Sequence, residues 1–175
     1  MRILLSTIMM LCASSLAIAN VNLSLPDREL TPGHVDSRVT PSTLSSTICT
    51  KGYTKTVRHT STSTKLAVKS AYSSKYPDWP NCKITEACEV DHLISLELGG
   101  ADVKDNLWPE PYCMSHRSTC LGAHEKDQVE NYLHDEVCSG KSSLSEAQKK
   151  IATDWTQVWI KEMHRKPYGS PKVYH

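Results

Sequence analysis

The chain has 175 residues, 20 Lys+Arg against 19 Asp+Glu, a formal charge of +1 and no Phe. That length, less a leader, makes about one domain with one core, filled by Leu, Ile, Val, four Trp and seven Tyr. The near-zero charge excludes a nucleic-acid-binding reading carried by net charge, so any such reading rests on where the charges fall.

Residues 1–19 are expected to be an export signal. Met1-Arg2 supplies the positive start, Ile3 to Leu16 a short apolar run, and Ala17-Ile18-Ala19 the small-x-small cleavage site. The run is too short, and too diluted by serine, for a membrane anchor. Leu11 before Cys12 does not fit a lipoprotein. The expected mature chain is periplasmic or secreted, has no membrane partner, and leaves its oligomeric state unread.

Cys12 departs with the signal, leaving Cys49, Cys82, Cys88, Cys113, Cys120 and Cys138. An even count in an oxidising compartment predicts up to three disulfides. With no Cys-x-x-Cys pair, a zinc–thiolate site is disfavoured. Cys82/Cys88 and Cys113/Cys120 would close small loops and leave Cys49 for Cys138, one of about fifteen connectivities.

Residues 20–46, rich in Pro, Ser and Thr, predict an extended arm with little core of its own. From Arg38 to Lys75 there is no acid, and Lys51, Lys55, Arg58, Lys65 and Lys69 fall in this stretch. It is either a solvated basic surface or a phosphate-facing one. Thr64 to Tyr72 predicts a short helix with Leu66, Val68 and Ala71 partly buried.

Val90, His92 and Ile94 alternate as a strand, Gly99-Gly100 permits a tight turn, and Asn106-Leu107-Trp108 returns as a second strand stopped by Pro109 and Pro111. A helix follows from Glu125 to Val137, with Val129, Leu133 and Val137 on one face, ended by Ser139-Gly140. Ser143-Leu144-Ser145-Glu146 is a capping box. The helix after it carries Leu144, Ala147, Ile151, Trp155 and Val158 on one stripe, and Lys166 to Gly169 stops it before a loose tail, 166–175.

Asp91-His92 is the first pair with chemistry. An Asp offers a hard oxygen to a divalent cation, and a neutral His takes a proton from water. Together they are the minimum for metal-assisted hydrolysis. Taken singly, Asp91 also suits a turn acceptor, His92 a core histidine and Asn106 a turn residue.

Glu89-Val90-Asp91-His92 to Gly99-Gly100, then Asn106-Leu107, then a helix, resembles the HNH or ββα-metal endonuclease family. An exported bacterial subgroup is the closest likeness, through Asn106-Leu107-Trp108-Pro109-Glu110-Pro111 and Lys126-Asp127 with Glu130. Ser46-Thr47-Ile48-Cys49, Gly52 to Arg58 and Ala147 to Trp155 extend it over most of residues 45–160. The resemblance implies an α+β fold over residues 47–165: a small antiparallel hairpin and helix holding a metal, packed with further helices and stabilised by disulfides. It implies His92 as general base, Asp91 as metal ligand, and Asn106 holding His92 or its loop. The usual helix His is missing. His124 falls one residue out of register, so Asp127 is preferred to His124 as the helix ligand, and Lys126 is placed facing phosphate. The implied cofactor is one divalent ion, Mg²⁺ by its oxygen donors. The implied partner is nucleic acid, DNA first with RNA open, cut with little sequence discrimination. A binding module that has lost catalysis, and a secreted effector using the same chemistry, are the rival functions.

Overall fold

In the computed structural model, residues 23–79, 87–112 and 121–164 are described. The export signal, Cys82, Cys113, Cys120, Lys166 to Gly169 and the tail lie outside them. Helices α1 (Tyr53–Val57) and α2 (Thr62–Lys75) precede strands β1 (Cys88–His92) and β2 (Leu107–Pro111), and α3 (Ala123–Cys138) and α4 (Leu144–Gln157) follow. The fold is α+β, with one two-stranded antiparallel sheet among the described residues.

The hairpin register sets Asp91 opposite Trp108 and His92 opposite Leu107. Pro109 and Pro111, expected to stop the second strand, instead pair with Val90 and Cys88. Both strands are edges, and two prolines two residues apart turn their missing N–H groups to the same side, so no ladder bond is lost. The first strand ends at His92 rather than Ile94: Leu93 N still donates to Asn106 O at 2.7 Å in the strand register, but Ile94 N and O are both taken by the Asn106 side chain. Between the strands run two single 3-10 turns, Leu96–Leu98 and Lys104–Asn106. Gly99 has φ 74°, and a Cβ on Gly100 would stand 1.7 Å from Ile94 O, so neither tolerates a side chain.

Ser61 caps α2 by accepting from Thr64 N at 3.1 Å. Val68 and Tyr72, four residues apart, form its buried face. Leu66, expected partly buried, is 61% exposed, because two residues from Val68 on a helix is the opposite side. On α3, Val129, Leu133 and Val137 are buried as their spacing requires, and Glu125 Oε2 accepts from Gly122 N at 2.9 Å. On α4 the stripe from Leu144 to Val158 is buried, with Ser143 Oγ accepting from Glu146 N at 3.2 Å.

The segment before residue 47 is not a separate arm. Leu23, Leu25 and Leu30 pack on the core, and Val39 is buried within it. Asp27 N donates to Tyr72 OH at 3.1 Å, that hydroxyl to Thr31 Oγ1 at 2.8 Å, and Thr31 Oγ1 to Leu107 O at 2.9 Å. This relay ties the segment, α2 and β2 together. Cys49 and Cys138 form a disulfide, the pairing that remains when the close cysteines are set aside, and it joins the approach to α1 to the end of α3. Cys88 is also disulfide-bonded.

Candidate functional site

Asp91 and His92 close β1 and border a cavity of about 220 Å³ that Arg58, Glu97, Asp127 and Glu130 also line. Four parts of the fold meet there: the end of α1, the end of β1, the turn at Leu96–Leu98 and one face of α3.

His92 is 2% exposed. Its Nε2 lies 2.8 Å from Asp102 Oδ1, and its Nδ1 lies 3.9 Å from Asp91 Oδ1. Burial holds the imidazole below its ordinary pKa, against the opposing pull of Asp102 and Asp91. Asp102 also accepts from His59 N and from the Thr60 hydroxyl. Burial raises its carboxyl, but the bonds from Thr60, His59 N and His92 more than offset this and keep it ionised.

Asn106 is fully buried and bridges both ends of the inter-strand loop. Its Oδ1 accepts from Ile94 N at 3.0 Å, and its Nδ2 donates to Ile94 O and Ala101 O, each at 2.9 Å. It does not border the cavity, so it acts on the loop that carries Glu97 and Asp102 rather than on a ligand.

Lys126 departs from its expected place facing phosphate. It is 0% exposed, and its ammonium donates to Asp91 Oδ2 at 2.6 Å, to His92 O at 2.7 Å and to Glu130. Those bonds use all the donors an ammonium has, so none remains for a phosphate. Burial would raise the Asp91 carboxyl, but the Lys126 charge prevails and lowers it. Glu110, with both oxygens buried and unpartnered in a hydrogen bond, is pushed well above the carboxylate range by burial despite Lys126 at 3.6 Å. Glu130 is also raised by burial, with Asp91 adding to it.

Asp127 and His124 differ in position. Asp127 borders the cavity, whereas His124 stacks on the Tyr112 ring at a centroid distance of 5.1 Å and is not among the cavity's lining residues. Of the basic residues, Arg58 borders the cavity and Lys51 borders an adjoining one of about 320 Å³, which shares Thr54 and Glu97 with the first. Lys55 is exposed on α1. Lys65, exposed, and Lys69, half-buried, stand on α2, which contributes nothing to the cavity lining.

Asp102 and Glu97 are not legible as site residues in the sequence. Asp102 follows the Gly99-Gly100 turn with no spacing that marks it, and Glu97 lies between two buried leucines. Glu110 and Glu130 stand out only as parts of a longer motif, though Glu130 at four residues from Lys126 is a recognisable helix pair.

The donor set suits a hydrated oxygen-seeking cation. Asp91 keeps Oδ1 off Lys126, and the Asp127 carboxylate borders the same cavity. Of the cavity's carboxyls, Glu97 and Asp127 are both raised, first by lost hydration, with neighbouring carboxylates adding to it. Mg²⁺ is typically held by one or two carboxylates and several waters. Asp91, His92 and Asp127 do not form a closed set. Among the described residues, only Cys49, His134 and Cys138 bring three ligand atoms within 4.8 Å of one another. That group could hold a metal as free thiols, but its two sulfurs are joined in the disulfide.

The fold and site together define a disulfide-linked α+β domain with a buried His–Asp pair beside an acidic cavity. Comparison with family models, curated proteins and solved structures gives no match to this chain.

Proposed function

We propose that this chain is an exported, metal-dependent endonuclease of the HNH type, hydrolysing phosphodiester bonds of nucleic acid, DNA first, with little sequence discrimination. One observation carries the reading: His92, with Nε2 engaged by Asp102 and Nδ1 on the Asp91 side, lines a cavity that Asp91, Asp127 and Arg58 also line. His92 Nδ1 takes a proton from water as the water oxygen attacks phosphorus, and the bond from phosphorus to the leaving ester oxygen breaks. Arg58 offers paired N–H donors to a non-bridging phosphate oxygen. Asn106 holds the loop behind the base. Asp91 and Asp127 would hold a divalent cation, Mg²⁺ by its donors, which would supply positive charge for the developing charge on phosphate and leaving oxygen. No helix among the described residues is long and apolar enough to cross a membrane.

A second reading is favoured by Lys126 on Asp91 and by the open ligand set: a disulfide-linked module that binds nucleic acid without cutting it. Incubating the oxidised mature protein with supercoiled plasmid and with RNA, in Mg²⁺ or EDTA, separates the two. Cleavage in Mg²⁺ that EDTA stops, and that falls about 10²–10⁴-fold in a folded His92→Ala variant, supports the nuclease. Asp127→Ala is expected to recover partly at high metal concentration, and so is Asp91→Ala where circular dichroism shows that it folds despite stranding the Lys126 ammonium. A parent that binds plasmid but cuts it under no divalent ion is the binding module.

A further inference from the structure

We infer that Asp102 is the positioning residue that fixes the His92 tautomer and thereby selects Nδ1 as the basic nitrogen; this rests on the reading of His92 as a base. An ionised carboxylate only accepts hydrogen bonds. Asp102 Oδ1 lies 2.8 Å from His92 Nε2, so Nε2 carries the ring proton and Nδ1 the lone pair. The same carboxylate is held from its far side. His59 N donates to Oδ2, and the Thr60 hydroxyl donates to Oδ1. These two residues follow Arg58 directly, so the carboxylate that orients the base also anchors the end of the segment that brings Arg58 to the cavity.

This arrangement makes the isosteric variant more harmful than the truncated one, the reverse of what a packing role gives. In Asp102→Asn, the side-chain oxygen is expected to face His59 N, which has no other protein acceptor among the described residues and which an NH₂ group there would oppose. The amide NH₂ then replaces Oδ1 and points at His92 Nε2. It can only donate, so Nε2 must accept, the ring proton moves to Nδ1, and the basic nitrogen is lost. In Asp102→Ala nothing dictates the tautomer, and part of the population keeps Nδ1 free.

The test combines imidazole ¹⁵N shifts of His92 in metal-free protein with plasmid cleavage kinetics. The parent is expected to show protonated Nε2, and Asp102→Asn protonated Nδ1. In Asp102→Asn, kcat is expected to fall by about 10–100-fold or more with KM little changed. Asp102→Ala should lie between the two. Thr60→Val, which removes one donor to Asp102 but not its bond to His92, should keep Nε2 protonated. The inference is overturned if Asp102→Asn retains the parent tautomer, if Thr60→Val loses it, or if the Ala variant cuts more slowly than the Asn variant. The ¹⁵N readout needs no cleavage, so it separates failure of this inference from failure of the nuclease reading.

Discussion

Lys126 Nζ stands 2.6 Å from Asp91 Oδ2, at a point where the lysine side chain has no exposure to solvent. A buried ammonium is stable only with its donors and charge met, and here β1, β2 and α3 each bring a carboxyl to it. Asp91 carries the matching negative charge, while Glu110 is held towards its neutral form. The consequence for the site is directional. Lys126 takes one oxygen of Asp91 and leaves the other on the His92 side, 3.9 Å from Nδ1.

Lys126→Met should therefore cost about 3–5 kcal/mol of stability, the usual penalty for stranding a buried charge. Glu110, which burial pushes towards its neutral form, should lose less in Glu110→Gln, with a change of no more than about 1 kcal/mol. Urea unfolding at neutral pH measures both. An equal loss in the two variants would make Glu110 an ionised partner of Lys126.

The elements are legible in the sequence because their signals are local. Val129, Leu133 and Val137 mark one helix face at fixed spacing, and Gly99-Gly100 marks a turn that forbids side chains. Sequence misleads where distant partners decide. Pro109 and Pro111 break a strand only where their missing N–H groups would face a partner, and although the sequence suggests a hairpin it does not reveal the register that turns both prolines to the free edge. A lysine is rarely buried unless paired, which sets the expectation of an outward-facing Lys126. What buries it are carboxyls at positions 91, 110 and 130, from three separate elements. The segment before residue 47 lacks a periodic pattern, because it completes a core made by others, as the Tyr72–Thr31–Leu107 relay shows.

Asp27 is expected to govern part of the acid stability. Its carboxyl accepts from Lys75 at 2.6 Å, from the Tyr76 hydroxyl, and from Glu29 N and Leu30 N at 2.7 and 3.1 Å. Burial raises its pKa, but these bonds prevail and bring it down to about 2. A depressed carboxyl stabilises the fold above its unfolded pKa of about 3.9 and stops doing so as pH falls through the folded value. The contribution is on the order of 1–2 kcal/mol after solvent screening. The stability gap between the parent and Asp27→Asn should hold at neutral pH and narrow between about pH 4 and pH 2. A gap that is constant with pH would assign Asp27 a neutral, hydrogen-bonding role only.

The disulfide between Cys49 and Cys138 spans 89 residues of sequence, so its removal should loosen the unfolded chain considerably. Cys49→Ser with Cys138→Ser is expected to cost about 2–4 kcal/mol in chemical unfolding. Thiol titration of the native protein should find neither sulfur free. Unchanged stability in the double variant would mean that the approach to α1 is held by its packing alone.

The basic stretch should divide in two when it meets DNA. Arg58 and Lys51 border the cavity and its neighbour, and Lys55 lies exposed between them on α1. Lys65 and Lys69 stand on α2, outside the cavity lining. Every phosphate that the protein ceases to neutralise should reduce the slope of log affinity against log salt by about 0.9. Replacing Lys51, Lys55 and Arg58 together by Ala should thus weaken binding and lower that slope by about 2–3. Replacing Lys65 and Lys69 should leave the slope within about 1 of the parent. Fluorescence anisotropy with a labelled duplex across a salt series measures both variants, and circular dichroism checks their folding. A larger slope change from the α2 pair would move the phosphate path off α1 and away from His92.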